Sequence, residues 1–600
     1  MDNKLFNNLN PDQIKAVTST EGPNLILAGA GSGKTRVLTY KVAYLISGKK
    51  IPADSILMVT FTNKAAAEIK NRIMNLISIT KKNGNLPWIS TFHSFCARVL
   101  RREGKYLGIP ASFVIYDDLD VRETILQAMA KLDIDKKSVS IGAIASTLGQ
   151  IKNELMSPVQ YLEVARGFFQ EMAGKIYPIY QNILKDNNAL DFEDLLFCTV
   201  KLFRENTQVL QNFRNNFRYI LIDEYQDTNN SQYILSRLLT DQHRNLTVVG
   251  DASQSIYAWR GADFRNIMRF KQDFPDAKIF HLEKNYRSTQ IILDAATAII
   301  SKNLNHPILK LWTDKKSGEK ISVYEASNEH KEANYIVSLL TTYNLNETVV
   351  LFRTNAQSRI IEEALLHEGI PYILVGGTRF YERKEIKDVL SYLRLIVNHR
   401  DSVAIKRAEK IGKKRLEKFR NFRQKLIKND IPSTLNLLDG ITDATDYFSL
   451  YNKEIPEEMA RLENIKELRS VAAEFPDINL FLENVALIEK EYAPNFTGEK
   501  NNSKVTLMTM HAAKGLEFRI VFMVGMEEGL FPHSMSLMDR NELEEERRLC
   551  YVGITRAREK LVLSYARKRL YFGQRASNMV SRFITEIPEE LVEKTYDNFL

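Results

Sequence analysis

A short apolar stretch that runs into a glycine-rich turn has the residue types and spacing of a phosphate-binding loop. It reads Asn24-Leu-Ile-Leu-Ala-Gly-Ala-Gly-Ser-Gly-Lys-Thr-Arg36. Glycines let backbone N–H groups converge on a phosphate, a lysine reaches the β- and γ-phosphate oxygens, and a hydroxyl that opens the next helix can hold Mg²⁺. The structural alternative is a glycine-rich surface turn. We predict that the nucleotide contacts come from Ala28, Gly29, Ala30, Gly31, Ser32, Gly33, Lys34, Thr35 and Arg36, with Ala28 where the strict pattern has glycine.

Two further apolar runs end in polar side chains. Arg218-Tyr-Ile-Leu-Ile-Asp-Glu-Tyr-Gln-Asp-Thr228 places Asp223 and Glu224 at the end of a predicted strand. Asp223 would complete a Mg²⁺ shell with Thr35, and Glu224 could polarise the attacking water. Acids at a strand end are otherwise common as turn or helix-cap residues. The run Leu246-Thr-Val-Val-Gly-Asp251 leads to Gln254, which could sense the γ-phosphate at the same sheet edge.

Composition indicates a large globular protein that is not inserted in a membrane. The chain has 600 residues, of which 44% are hydrophobic and 26% charged, enough for roughly four domains of about 150 residues each. Three cysteines stand far apart without metal-ligand spacing, which favours a reducing compartment. We expect a cytoplasmic protein, because no signal peptide and no apolar run of membrane-spanning length is found.

The positive charge is concentrated in one segment. The formal net charge is +9, and residues 400–430 contain twelve Lys or Arg against four Asp or Glu. Such a field attracts a polyanion. A solvated helix face is the alternative.

Further short motifs follow one another along the whole chain. Besides the runs above, the first half contains Leu9-Asn-Pro-Asp-Gln13, Val59-Thr-Phe-Thr-Asn-Lys-Ala-Ala66, Thr91-Phe-His-Ser-Phe95, Gly250-Asp-Ala-Ser-Gln-Ser-Ile-Tyr257 and Asn285-Tyr-Arg-Ser288. The second half contains Leu351-Phe-Arg-Thr-Asn355, Tyr381-Glu-Arg-Lys-Glu-Ile-Lys-Asp388, Met510-His-Ala-Ala-Lys-Gly-Leu-Glu-Phe518 and Tyr551-Val-Gly-Ile-Thr-Arg-Ala557. The order of these motifs resembles the UvrD/PcrA/Rep family of superfamily 1 DNA helicases, and the resemblance covers nearly the whole chain.

The resemblance implies an α/β fold of two RecA-like P-loop motor domains, each with an inserted, mainly helical subdomain. We place the first motor at 1–106 and 190–278, with its insert at 107–189. We place the second motor at 279–377 and 505–600, with a shortened insert at 378–504. No C-terminal extension for protein partners is expected, and repair or replication partners cannot be identified from the sequence.

The resemblance also implies roles around ATP and Mg²⁺. Gln13 would read the adenine edge, and Tyr286 would stack on the base. Arg287 and Arg556 would reach the γ-phosphate from the second motor and stabilise the charge that develops there. Glu517 is carried over as a nucleotide-side contact. Without the resemblance, the arginines would be interpreted as surface cations and Tyr286 as a packing residue.

Single-stranded DNA needs flat side chains on which bases stack, in a groove that follows the phosphates. Aromatic residues just after predicted strands could supply them, with core packing as the alternative for each. The aromatic candidates are Phe61, Phe92, Tyr257 and Trp259, and their polar neighbours are Asn63, Lys64, His93 and Arg260. For His93 the alternative is a buried, hydrogen-bonded histidine. The resemblance adds His511 to the predicted DNA contacts.

One region departs from the family pattern. The family usually has a Gly-Ile-Gly hairpin that grips duplex phosphates, whereas this chain has Glu409-Lys-Ile-Gly-Lys-Lys-Arg-Leu416. Gly412 can still form a turn, and charge from Lys410, Lys413, Lys414 and Arg415 could replace the lost amide contacts.

Asp191 and Asp194 could be interpreted as a metal pair, but we interpret them as a helix cap.

We therefore predict an ATP-dependent 3′→5′ DNA helicase that acts on single strands and on single-strand/duplex junctions in repair or replication restart. The direction comes from the resemblance. One alternative is a translocase that strips proteins from DNA with little unwinding. Another is a DNA-binding scaffold that does not hydrolyse ATP. The scaffold is disfavoured because the predicted catalytic set is complete, with Lys34, Thr35, Asp223, Glu224, Gln254, Arg287 and Arg556.

Overall fold

The computed structural model describes residues 5–77, 86–135, 138–304, 307–426, 432–453, 455–491 and 503–597. The chain forms two compact units. The first comprises Met1–Tyr286 and Leu304–Trp312, and the second comprises Arg287–Asn303 and Thr313–Leu600. Cys96, Cys198 and Cys550 are all free thiols. Among the described residues, no helix has both the length and the apolar character needed to cross a membrane.

The first unit is built on a six-stranded parallel sheet. Its strands, together with a separate short pair (β4 and β5), are β1 Asn24–Ala28, β2 Ile56–Thr60, β3 Trp88–Thr91, β4 Val114–Ile115, β5 Ala189–Leu190, β6 Tyr219–Ile222, β7 Leu246–Gly250 and β8 Lys278–Leu282. The order in the sheet is β3-β2-β6-β7-β1-β8, and every neighbouring pair is parallel. Strands β1, β2 and β7 are buried along their whole length, as expected of a parallel sheet covered by helices on both faces.

Helices of the first unit surround this sheet or form its insert. They are α1 Pro11–Thr18, α2 Lys34–Ser47, α3 Asn63–Ile77, α4 Phe92–Glu103, α5 Asp118–Lys131, α6 Ile141–Asn153, α7 Pro158–Val164, α8 Phe168–Asp186, α9 Phe192–Glu205, α10 Thr207–Asn216, α11 Asn230–Thr240 and α12 Arg265–Asp273.

The insert of the first unit is helical, and its two ends are joined by a short pair of strands. Helices α5, α6 and α8 pack around their own core, which includes Ile125, Ile144 and Ile176. Strands β4 and β5 pair in parallel, which brings the two ends of the insert together.

Asp191 caps α9, because its side chain accepts a hydrogen bond from the Asp194 backbone N–H. This confirms the predicted cap. The structure adds a buried partner, since Lys152 Nζ lies 2.5 Å from Asp191 Oδ2 and 2.8 Å from Asp194 Oδ1.

The second unit contains a larger sheet. Its strands are β9 Ile321–Asn328, β10 Thr348–Phe352, β11 Tyr372–Val375, β12 Val505–Thr509, β13 Phe518–Met523, β14 Ala557–Tyr571, β15 Gln574–Ala576 and β16 Val592–Tyr596. The order is β11-β12-β10-β13-β14-β9-β16, with β15 paired to β14. All pairs are parallel except β14 with β15.

Helices of the second unit are α13 Gln290–Ile300, α14 Glu329–Leu340, α15 Ser358–His367, α16 Lys384–Val397, α17 Ser402–Ile411, α18 Lys413–Leu426, α19 Thr434–Thr445, α20 Pro456–Glu474, α21 Ile478–Glu491, α22 Arg540–Ile554 and α23 Arg582–Thr585. Helices α16 to α21 lie between β11 and β12, which are neighbours in the sheet. Each unit is thus built on a mainly parallel α/β sheet with a helical insertion, which confirms the predicted fold class.

The limit between the units differs from the predicted one at 278/279. Strand β8 begins at Lys278 and pairs with β1 from Asn24 to Ala28, so it is the last strand of the first sheet. The first unit therefore extends to Tyr286 and includes Leu304–Trp312. The apolar run at 278–282 predicts a strand, but it does not predict which sheet the strand joins. That depends on the strand with which it pairs, here β1.

Candidate nucleotide and nucleic-acid sites

The turn between β1 and α2 has the backbone of a phosphate loop. Gly31 has φ 64° and Gly33 has φ 90°, a left-handed region that side-chain-bearing residues rarely adopt. A Cβ at Gly29 would stand 2.3 Å from Leu311 Cδ2. The backbone conformation therefore favours glycine at 31 and 33, whereas a side chain at position 29 would require the Leu311 side chain to move. The first helical residue after the turn is Lys34.

Lys34 lies inside this turn. Its Nζ donates to the carbonyl oxygens of Ala28 at 3.2 Å and Gly29 at 3.4 Å. The same nitrogen is 3.9 Å from Asp251 Oδ2. A cation enclosed by a glycine-rich turn at a helix N-terminus is the arrangement that recognises nucleotide phosphates.

Thr35 and Asp223 meet at the end of the sheet. Thr35 Oγ1 donates to Asp223 Oδ2 at 2.9 Å. Burial, with the neighbouring Glu224 charge, raises the pKa of Asp223 to about 7. A hydroxyl and a carboxylate are hard oxygen ligands, and a divalent cation would favour the ionised carboxylate that burial disfavours. These residues therefore fit Mg²⁺.

Glu224 belongs to a network that joins the ends of β6 and β7. It has a positive φ of 51°, an uncommon conformation that tends to occur at functional sites. Its Oε2 accepts from Gln226 Nε2 at 2.5 Å, and Gln226 Oε1 accepts from the Asp251 backbone N–H at 3.0 Å. Gln254 Nε2 donates to Asp251 Oδ2 at 2.5 Å. The structure thus brings Glu224 and Gln254 into one network.

Gln226 and Asp251 were not predicted as site residues. Both lie within motifs quoted for other residues, at strand ends next to the predicted catalytic side chains. Burial raises the pKa of Asp251, although the nearby Lys34 charge opposes the shift.

Gln13 packs directly against the loop. Its side chain completes a capping box with Asn10, and its Nε2 donates to Ser32 O at 2.9 Å. Asn10 Nδ2 donates to Tyr286 Oη at 2.8 Å. Tyr286 is 41% exposed, and its backbone N–H donates to Gly31 O. Gln13 and Tyr286 therefore both contact the glycine-rich turn or its immediate neighbours, as a site for a base beside the phosphates requires.

Two asparagines that were not predicted support this arrangement. Asn10 connects Gln13 with Tyr286, and Asn285 Nδ2 donates to Ala30 O at 2.7 Å. The sequence could have indicated these asparagines only through their position, because each lies in a motif that was singled out for another residue. Arg36 is half-buried, with its guanidinium 5.7 Å from the Tyr40 ring centre.

In the second unit, Arg287 and Glu517 form an ion pair. Arg287 Nε donates to Glu517 Oε2 at 2.5 Å, and Arg287 Nη1 donates to Thr555 O at 3.1 Å. Glu517 also accepts from Arg558. Burial opposes ionisation of Glu517, but the hydrogen bonds and charges of Arg558 and Arg287 outweigh it and hold the pKa of Glu517 below its usual value.

Arg556 is enclosed in the second unit at 1% exposure. It donates to Val552 O at 2.9 Å, Leu516 O at 3.0 Å and Thr555 Oγ1 at 3.1 Å. Because Arg287 bonds the preceding residue, Thr555, the structure brings the two arginines and Glu517 to one place in this unit. Contact of these residues with a nucleotide stays a prediction.

The predicted DNA-contact residues of the first unit follow strands β2, β3 and β7. Carboxyl ends of parallel strands meet at one sheet edge, so Asn63 and Lys64 lie exposed beside the half-buried Phe61 there. Phe92 is only 4% exposed and belongs to the apolar core, with its ring centre 6.3 Å from that of Phe61. The structure thus places Phe92 in the packing position that was its alternative, and its stacking role stays a prediction.

His93 and Phe192 lie next to each other. Their ring centres are 5.7 Å apart. Burial lowers the pKa of His93, which favours the neutral ring. Phe192 is 49% exposed and was not predicted. In the sequence, the nearby Asp191 and Asp194 indicate a helix cap and give no sign of a role for Phe192. Its exposed ring beside His93 is what suggests a flat surface on which a base could stack.

Tyr257 and Trp259 form a second aromatic pair, with ring centres 6.5 Å apart. Trp259 is 39% exposed and Tyr257 is half-buried. The side chain of Arg260 lies outside the described part of the chain. In the second unit, His511 follows β12 and is half-buried.

The basic segment forms a helix–turn–helix. Helix α17 ends at Ile411, Gly412 has φ 150°, and α18 begins at Lys413. Lys410, Lys413 and Lys414 are exposed. Arg415 instead donates to Ser449 Oγ at 3.0 Å, so its charge is partly engaged within the insert. Both the duplex-binding prediction and the solvated-face alternative remain open.

Comparison with known proteins gives matches along most of the chain. The UvrD/REP helicase N-terminal domain matches residues 9–275, and the UvrD-like helicase C-terminal domain matches residues 280–458 and 434–568. The chain is 42% identical over 647 aligned residues to the ATP-dependent DNA helicase PcrA of Bacillus subtilis (strain 168), covering 98% of this chain and 87% of the relative. It is 41% identical to the protein of the same name from Staphylococcus aureus (strain Mu50), covering 98% and 88% of the two chains.

Proposed function

Since the chain belongs to the UvrD/REP helicase family, we propose that it is an ATP-dependent DNA helicase that moves along single-stranded DNA and unwinds duplexes. The observation that carries this proposal is the pair of Thr35 and Asp223 next to Lys34, an oxygen set and a cation suited to Mg²⁺ and ATP phosphates. The 3′→5′ direction rests on the family resemblance.

In the first unit, Lys34 binds the phosphates, while Thr35 and Asp223 hold Mg²⁺. Glu224 orients and deprotonates the attacking water, and Gln254 senses the γ-phosphate through its place beside Asp251. Positioning and electrostatic stabilisation supply nearly all of the catalysis in phosphoryl transfer, so this buried network is suited to the reaction.

The second unit is proposed to supply Arg287 and Arg556, whose charges stabilise the transferring phosphoryl group. Glu517 holds Arg287 by an ion pair and thereby sets the direction in which its guanidinium points.

DNA contacts are proposed for aromatic side chains at the carboxyl edge of the first sheet and for Phe192, which lies beside His93 of that edge. Trp259, Tyr257, Phe61 and Phe192 supply flat surfaces, and His93 and Asn63 supply polar contacts. The substrates are single-stranded DNA and single-strand/duplex junctions, and the setting is repair or replication in the cytoplasm. Stacking is tolerant of sequence because every base has a flat face.

The test is ATP turnover with and without single-stranded DNA, followed by strand displacement on duplexes with a 3′ or a 5′ tail. We expect DNA to stimulate turnover and only the 3′-tailed duplex to be unwound. Lys34→Ala should abolish turnover while single-strand affinity stays within about twofold, because the lysine contacts phosphate and not DNA. Turnover without unwinding, together with displacement of streptavidin from DNA, would support the protein-stripping translocase instead.

A further inference from the structure

A cavity of about 670 Å³ lies in the first unit where the insert meets the motor. Its walls come from residues 107–113, from the start of α7, from α8 and from α9. The volume falls within the range of small-molecule sites, which are often found where two substructures meet. None of the residues proposed above for nucleotide or DNA contacts lines this cavity.

The inner wall of the cavity is apolar. Phe113, Leu184 and Val200 line it and are buried, and Ile109 and Phe197 are half-buried. On the open side, Val159 is exposed. Covering such a surface with an apolar ligand is favourable by about 25 cal/mol per Å² of area removed from water.

The rim of the cavity is positively charged. Lys185, Lys201 and Arg204 line it and are exposed. Lys201 is 3.9 Å from the carboxylate of Glu205. Within the described part of the chain, Lys185 and Arg204 have no carboxylate at ion-pair distance and no side-chain hydrogen bond.

One buried acid, Asp194, also lines the cavity, and it shares the Lys152 cation with Asp191. Asp194 Oδ1 is 2.8 Å from Lys152 Nζ and accepts from Gln181 Nε2 at 2.9 Å. Asp194 is thus already in contact with a cation, and Glu205, which also lines the cavity, lies beside Lys201 and leaves Lys185 and Arg204 as the cations of the rim without an acid at ion-pair distance in the described part of the chain. An anionic group would be attracted to the rim, while a cation would be repelled by it.

We propose that this cavity is a binding site for a small amphiphile with an apolar body and one anionic group. The body occupies the apolar wall, and the anionic group lies at the rim beside Lys185 and Arg204. Because α8 belongs to the core of the insert and α9 to that of the motor, the ligand contacts both and stabilises their junction. A ligand that binds only the folded junction raises its stability by mass action.

The test uses 8-anilinonaphthalene-1-sulfonate, an aromatic probe with one sulfonate, and the full chain. Titrations are run with saturating ADP and Mg²⁺, so that the probe does not report the nucleotide site, and binding is followed by fluorescence and by calorimetry. We expect one saturable site per chain. Lys185→Glu combined with Arg204→Glu should weaken binding roughly tenfold or more.

The matched control is Lys175→Glu, an exposed lysine on the same helix α8 that does not line the cavity. It should leave affinity within about twofold. N-phenyl-1-naphthylamine supplies the same apolar body without the sulfonate. It should bind more weakly than the sulfonate in the wild type and about equally in the double variant.

The thermal midpoint of each variant is measured to establish that it is folded, which is expected for substitutions of exposed side chains. The proposal is overturned by the absence of a saturable site, by equal binding of the charged and uncharged probes to the wild type, or by equal weakening in the Lys175→Glu control. None of these results depends on ATP hydrolysis or on unwinding.

Discussion

The Thr35 hydroxyl donates a 2.9 Å hydrogen bond to Asp223 Oδ2, which links the first turn of α2 to the end of β6. The two residues are far apart in the sequence, and the parallel sheet brings them together. We propose that their oxygens hold the Mg²⁺ of a bound nucleotide.

The affinity for Mg²⁺ should rise with pH through about 7, the value to which burial and Glu224 raise the pKa of Asp223. Below this pH the carboxyl binds a proton, which must leave before the metal binds. The measurement is the Mg²⁺ concentration that gives half-maximal ATP turnover at pH 6, 7 and 8. Asp223→Asn should lose this pH dependence together with most of its activity, and an unchanged dependence in that variant would assign the titration to another group.

Glu224→Gln should bind ATP normally but hydrolyse it about 10² to 10⁴ times more slowly, because the amide cannot accept the proton of the water. Binding is measured with a fluorescent nucleotide and hydrolysis by single turnover. A loss of nucleotide binding would indicate instead that Glu224 supports the network with Gln226.

Phe192→Ala and Trp259→Ala should each weaken single-strand affinity by roughly 1–3 kcal/mol. Both side chains are exposed. Trp259 follows β7 at the carboxyl edge of the first sheet, whereas Phe192 follows β5 and lies beside His93, which follows β3. Tyr106→Ala is the control, because Tyr106 is also exposed but lies beyond the far end of α4. Fluorescence anisotropy with oligothymidine measures all three, and an equal loss in the control would contradict a specific stacking surface.

Replacing Lys410, Lys413 and Lys414 by Ala should weaken binding of a tailed duplex more than that of a bare single strand. Each lost phosphate contact should flatten the slope of log affinity against log salt for the duplex by about 0.9. Turnover saturated with single-stranded DNA should hardly change. Arg415→Ala is the comparison, since Arg415 is bonded to Ser449. An unchanged slope in the triple variant would make the segment a solvated helix face.

Lys41 should make stability depend on pH. It is buried and donates to Ser19 O at 2.6 Å and Ala16 O at 3.2 Å, and burial lowers its pKa to about 7. The unfolded chain then binds more protons than the folded one between this pH and the ordinary lysine value, so this contribution to stability increases as the pH rises through that window. The thermal midpoint of the wild type minus that of Lys41→Met should increase from pH 7 to pH 9, and a constant difference would contradict the assignment.

The sequence alone determined the features that depend on a few neighbouring residues. The glycine spacing predicted the turn before Lys34, and the apolar runs predicted the strands that end at Asp223 and Asp251, because side-chain size and backbone freedom act locally. The cap at Asp191 was predictable for the same reason, since its partner Asp194 is three residues away.

Tertiary structure decided which side chains are covered and which charges are paired. Phe92 and Phe192 are both aromatic residues that open a helix, yet one packs in the core and the other is exposed. The environment of Arg556, the Lys152 partner of Asp191, and the addition of β8 to the first sheet all depend on residues distant in sequence. Local preference does not specify such contacts, because burial and pairing energies are fixed only when separate elements pack together.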